Sequence, residues 1–134
     1  MLKCAELFKN LLDEKEFHYD YREFDDGKVS IDFPYSGKVA RCIFGGDEGE
    51  YLSIYIIYES VPENKLAEAV FACNSLNSEY KWVKFYVDDD KDLMLQDDAI
   101  LSLDNAADES MELLIRIFNI ANEAKATLMK AIYA

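Results

Sequence analysis

Asp88, Asp90 and Asp92 alternate along the chain with the spacing of the first three oxygen ligands in a calcium loop. Such a loop needs glycine at its sixth position for a sharp turn and a bidentate glutamate at its twelfth. Here those positions hold Leu93 and Ala99, so the run reads as a solvated hairpin turn. Zinc is served worse, because His18 is the single histidine and Cys4, Cys42 and Cys73 are too far apart to share an ion at ligand spacing. A serine or cysteine nucleophile would need a base beside it, and the one imidazole sits in a strand-like segment. Asp25-Asp26, Asp47-Glu48 and Asp97-Asp98 are carboxylate pairs on apparent turns, without the apolar shielding that raises a pKa for acid catalysis. Gly45-Gly46 and Gly49 resemble a phosphate loop but lack the following Lys-Ser/Thr, and Asp47, Glu48 and Glu50 would repel phosphate. The expectation is a chain with no catalytic, cofactor-binding or metal-ligating residue.

The elements that would position any site come from a chain of 134 residues, enough to bury a core without disulfides or metal, and residues 1–134 read as a single domain. Apolar residues make up 51%, which offsets the entropy of ordering the chain. Against 27 acidic residues stand only 14 basic ones, unclustered, for a formal charge of −13. Phosphate backbones and anionic lipid would be repelled, so neither nucleic acid nor membrane is an expected partner. Three unpaired cysteines fit reduced thiols of a cytoplasmic protein. Lys3, Glu6 and Lys9 break up any signal-peptide core, and the uncharged stretch Tyr51–Tyr58 is too short to span a bilayer.

Hydrophobic period sets the order of elements. Leu2, Ala5, Phe8, Leu11 and Leu12 recur at helical spacing and predict a helix over about residues 2–15. Phe17, Tyr19 and Tyr21 then alternate with polar residues, as do Val29, Ile31, Phe33 and Tyr35 beyond Asp25-Asp26-Gly27, predicting two strands joined by a tight turn. Two further strands follow at Val39–Phe44 and Tyr51–Glu59. Ser60 and Glu63 are spaced as a capping box for a second helix, with Pro62 in its first turn and a stripe of Leu66, Ala69, Val70, Cys73 and Leu76. Strands at Trp82–Val87 and Leu93–Leu103 flank the turn Asp88–Asp92. The closing helix, about Ala106 to Tyr133, carries Met111, Leu114, Ile115, Phe118, Ala121, Leu128 and Ile132 on one face.

Strands apolar on both sides make the strongest request for a partner. In Tyr51–Glu59, Leu52, Ile54, Ile56 and Tyr58 form one face while Tyr51, Tyr55 and Ile57 make the other apolar too. Near Trp82–Val87, Trp82 and Tyr86 oppose Val83, Phe85 and Val87. The expected arrangement covers one sheet face with the second helix and the other with the first and third. The alternative leaves Tyr51, Tyr55, Ile57, Trp82 and Tyr86 for a subunit or partner.

The order α-β-β-β-β-α-β-β-α resembles the YbjN-like family of bacterial sensory transduction regulators, which shares the fold of type III secretion chaperones. The likeness rests on "FHYDYREFDDG" at 17–27, "VPENKLAEAVFACNSLN" at 61–77 and the strand pair before a long closing helix. It implies an α+β fold with an antiparallel sheet flanked by helices, no catalytic residue, and the dimeric habit of those chaperones. The resulting expectation is a non-enzymatic protein-binding module, chaperone-like or regulatory, working as a homodimer with a possible protein client. A small-ligand sensor, or a small carboxylate-dependent enzyme, is the alternative.

Overall fold

A computed structural model describes residues 2–134. Helix α1 (Lys3–Glu14) buries Cys4, Ala5, Phe8 and Leu12, one stripe at helical spacing. No side chain caps its start. The Cys4 amide instead donates to the Glu48 carbonyl at 2.8 Å, so the glycine-rich loop serves as a helix cap and not as a phosphate cradle. Gly49 has a φ of +78°, and a Cβ there would meet the Leu2 side chain at 2.9 Å, so this close approach requires glycine.

Strands β1 (Asp20–Glu23), β2 (Val29–Tyr35), β3 (Lys38–Gly45), β4 (Tyr51–Ser60), β5 (Lys84–Val87) and β6 (Asp92–Ile100) form one sheet in the order β1-β2-β3-β4-β6-β5, antiparallel throughout. β1 starts later than the alternation from Phe17 predicts. The Phe17 amide still bonds back to the Leu12 carbonyl at 3.0 Å, and Glu16 has a φ of 61°, so this stretch terminates α1 and cannot join the ladder. Phe17 instead sets its ring edge-on to Phe33, centroids 5.5 Å apart. The Asp25-Asp26-Gly27 turn forms as expected: the Phe24 amide bonds to the Lys28 carbonyl at 2.9 Å, and Gly27 takes a φ of 90°.

The second helix begins later than a capping box at Ser60 and Glu63 implies. Ser60 ends β4 and donates its hydroxyl to Asp92 Oδ1 at 3.0 Å across the sheet, a partner only the tertiary fold supplies. A single 3-10 turn, Glu63–Lys65, leads into α2 (Leu66–Glu79), which buries Ala69, Ala72, Cys73 and Leu76 but leaves Val70 exposed. Helix α3 (Ala106–Tyr133) buries Leu113, Leu114, Ile117, Phe118, Ile120, Ala121, Ala124, Leu128 and Ile132, while Ile115 of the predicted stripe points to solvent.

All three helices pack on one face of the sheet. Register carries Val29, Ile31 and Phe33 of β2 to Phe44, Cys42 and Ala40 of β3, then to Leu52, Ile54 and Ile56 of β4, and on to Asp97 and Leu95 of β6 and Phe85 of β5. Directly opposed residues share a face. Phe8 of α1 lies against Phe44, Phe118 of α3 against Phe33 and Tyr35, and Tyr80, capping α2, against Phe85. This one layer holds the core. Phe8, Phe44, Phe85, Ile54 and Ile56 are fully buried in it, each contributing about 1.5–3 kcal/mol by leaving water. The expectation of helices on both faces is therefore corrected: the first and third helices pack on each other, and helix α2 packs on α3, beside them.

Candidate functional site: the open sheet face

The face without helices carries Asp20 and Arg22 of β1, Ser30, Asp32 and Pro34 of β2, Val39, Arg41 and Ile43 of β3, Tyr51, Ser53, Tyr55, Ile57 and Ser60 of β4, Asp92, Met94, Gln96, Asp98 and Ile100 of β6, and Lys84 and Tyr86 of β5. Tyr51 (57%), Ile57 (59%), Ile100 (78%) and Val39 (49%) are exposed on it, which is uncommon for large apolar side chains gathered together. Tyr55 and Tyr86 are half-buried, and Met94 is buried among neighbours on the same face. A shallow cleft of about 450 Å³ opens between Gly37, Lys38, Val39, Arg41, Ile43, Tyr55, Ile57 and Met94.

Polar side chains on this face satisfy one another. Asp32 is buried, accepts a 2.6 Å hydrogen bond from the Ser30 hydroxyl, and faces Arg41 Nε at 3.3 Å and Arg22 Nη2 at 3.5 Å. Tyr86 donates its hydroxyl to Gln96 Oε1 at 2.7 Å, and Gln96 donates to Asp98 at 2.9 Å. Four acids (Asp20, Asp32, Asp92, Asp98) and three cations (Arg22, Arg41, Lys84) give a face of formal charge −1 on a chain of −13. Most of the excess negative charge lies elsewhere. An apolar surface of low net charge is the part of such a chain that a protein can cover with least repulsion.

Tyr51, Tyr55, Ile57 and Tyr86 come together on this face, whereas Trp82 does not join them. Trp82 lies in the bend before β5, 61% exposed, with Arg116 of α3 stacked 4.9 Å from its ring centre. Val39, Ile43, Met94 and Ile100 are members that the sequence reading passed over. Val39 and Ile43 alternate with Ala40 and Cys42 as Tyr55 does with Ile54, and that period was the available signal.

The groups singled out for chemistry are engaged in structure. Asp97 is not on a turn: it sits in mid-β6, buried on the helix side, and pairs with Arg116 Nε at 3.2 Å. Burial pushes its carboxyl above the ordinary aspartate range, and the Arg116 charge opposes that rise without cancelling it. Asp88 directs Oδ1 to the amides of Asp90 (3.1 Å) and Asp92 (2.9 Å), closing its own hairpin turn. Burial raises all three thiols, Cys73 to about 11 and Cys42 further, so they stay protonated at neutral pH. Among the described residues no cluster of three or more His, Cys, Asp or Glu could hold a metal ion, and no helix is long and apolar enough to cross a membrane.

A helix layer on one side of an antiparallel sheet and a bare face on the other define a two-layer α+β fold. The family model YbjN, described as "Putative bacterial sensory transduction regulator", matches residues 5–133, and the chain belongs to that family. Its description is that of a regulator and not of an enzyme. No curated protein matches the chain.

Proposed function

We propose that this protein is a non-enzymatic, cytoplasmic binding module of regulatory or chaperone type, which acts as a homodimer and holds a protein client against its open sheet face. One observation carries the reading: the described helices lie on the other side, leaving exposed Tyr51, Ile57, Val39 and Ile100 around half-buried Tyr55 on a face of low formal charge. The client this chemistry suits is a flat or extended apolar segment with aromatic or aliphatic anchors, because the face offers rigid tyrosines and few unpaired charges. A regulator need not transform what it binds, which agrees with the family's description.

Ile57 is exposed and touches no helix, so Ile57→Asp should leave the fold intact by circular dichroism. The test isolates a client with the wild-type protein, purifies it, and compares its affinity for wild type and Ile57→Asp by titration calorimetry. Affinity at least about tenfold weaker in the variant supports the reading, corresponding to loss of one anchor. Equal affinity moves the client off this face.

A further inference from the structure

The two outer strands of the sheet are finished differently. On β5 the side-chain amide of Asn77, from α2, donates to the Phe85 carbonyl at 2.9 Å and accepts from the Phe85 amide at 2.8 Å, blocking that edge at its middle. β1 has no such cover. The Phe24 to Lys28 hydrogen bond fixes the alternation of the β1–β2 ladder, so Arg22 and Asp20 turn their backbone groups to β2. Tyr21 and Glu23 therefore turn theirs outward, and among the described residues nothing bonds to them.

An open edge is a template for another strand, and the side chains of β1 fit a second copy of β1. Opposed residues of an antiparallel pair share a face, so a symmetric pairing must be centred on one residue. Centred on Tyr21, the outward backbone groups of Tyr21 meet the partner's Tyr21, and those of Glu23 meet the partner's Tyr19. On the open face Asp20 then stands opposite the partner's Arg22, and Arg22 opposite the partner's Asp20. Centring on Asp20 or on Arg22 would set like charges against each other on the axis. Only the Tyr21 register is complementary in both hydrogen bonds and charge. Arg22 is within reach of it: its side chain is half-exposed, and its contacts are a 3.5 Å pair with Asp32 and the Phe24 ring 5.5 Å away.

We propose that two copies join through β1, edge to edge about a two-fold axis at Tyr21, so that their six-stranded sheets become one. This rests on the homodimer proposed above and locates its contact away from Tyr55. The two open faces then form a single surface, free for a client.

Sedimentation velocity decides it, using wild type, Glu23→Pro, Arg22→Asp and Asp20→Arg, each checked for folding by circular dichroism. Wild type should sediment at twice 15.4 kDa. Glu23→Pro removes an outward amide on an edge strand, where proline is tolerated, and with it an exposed 3.2 Å acceptor of the Tyr21 hydroxyl, and should be a folded monomer. Arg22→Asp and Asp20→Arg should each be monomeric alone and recover the double mass when mixed, because only the mixed pair sets opposite charges across the axis. Should Arg22→Asp fail to fold beside Asp32, Glu23→Pro decides the matter. A dimer that survives Glu23→Pro overturns the edge pairing while leaving a homodimer in place; a wild-type monomer overturns both.

Discussion

Asn77 gives Phe85 both hydrogen bonds that a neighbouring strand would supply, so one side chain of α2 occupies the middle of the β5 edge of the sheet. This leaves β1 as the edge with no side chain on its outward backbone groups among the described residues, and so the edge better able to pair.

Removing the Asn77 side chain should have two effects. Asn77→Ala loses two hydrogen bonds in a partly buried setting and should cost about 1–2 kcal/mol in urea unfolding. It should also generate species larger than a dimer in light scattering, because the β5 edge would then lose the side chain that blocks it. A variant of unchanged stability and unchanged mass would contradict this role.

Helix α3 offers a clean test of register. Ile117 is fully buried and Ile115, two positions earlier, is 53% exposed. Ile117→Ala should cost about 2–5 kcal/mol, a large share of the stability of a domain this size. Ile115→Ala should cost under about 0.5 kcal/mol. Phe118→Ala, where the ring meets Phe33 and Tyr35, should approach about 3–5 kcal/mol.

The Asp97–Arg116 pair predicts a pH dependence of definite sign. The folded protein binds the Asp97 proton more tightly than the unfolded chain does, since the carboxyl is raised on burial. Its contribution to stability is thus greatest below the ordinary aspartate pKa of about 3.9 and falls as pH rises through the folded value. Stability of wild type minus that of Asp97→Asn, from urea midpoints, should decline as pH rises above about 4. A difference that grows with pH would contradict the assignment. Arg116→Leu, which leaves the carboxylate buried without its cation, should cost about 3–5 kcal/mol at neutral pH.

Much of this fold can be read from period alone. The two-residue alternation of Val29–Tyr35 and Tyr51–Tyr58 and the stripe of α1 depend on local sequence, and the element order follows from them. The places where reading and structure part are those decided by distant groups. Ser60 looks like a helix cap until Asp92 arrives from β6, and Asp97 looks like a turn residue until Arg116 reaches it from another element. The layering of helices is not written in any one helix, because α1 and α3 present stripes that fit each other as well as a sheet. The open face was legible in part: Tyr51, Tyr55, Ile57 and Tyr86 alternate correctly, while the sideways position of Trp82 follows from its stacking on Arg116.

The central claim is that the open sheet face is where a client protein sits. A photo-cross-linking amino acid placed at Ile57, on that face, and separately at Val70, equally exposed on α2, probes it directly in cells. The account predicts a discrete adduct with another protein from position 57, lost when Tyr55→Asp is added, and none from position 70. Adducts of equal yield from both positions, or no adduct from position 57 with the protein folded, would contradict it.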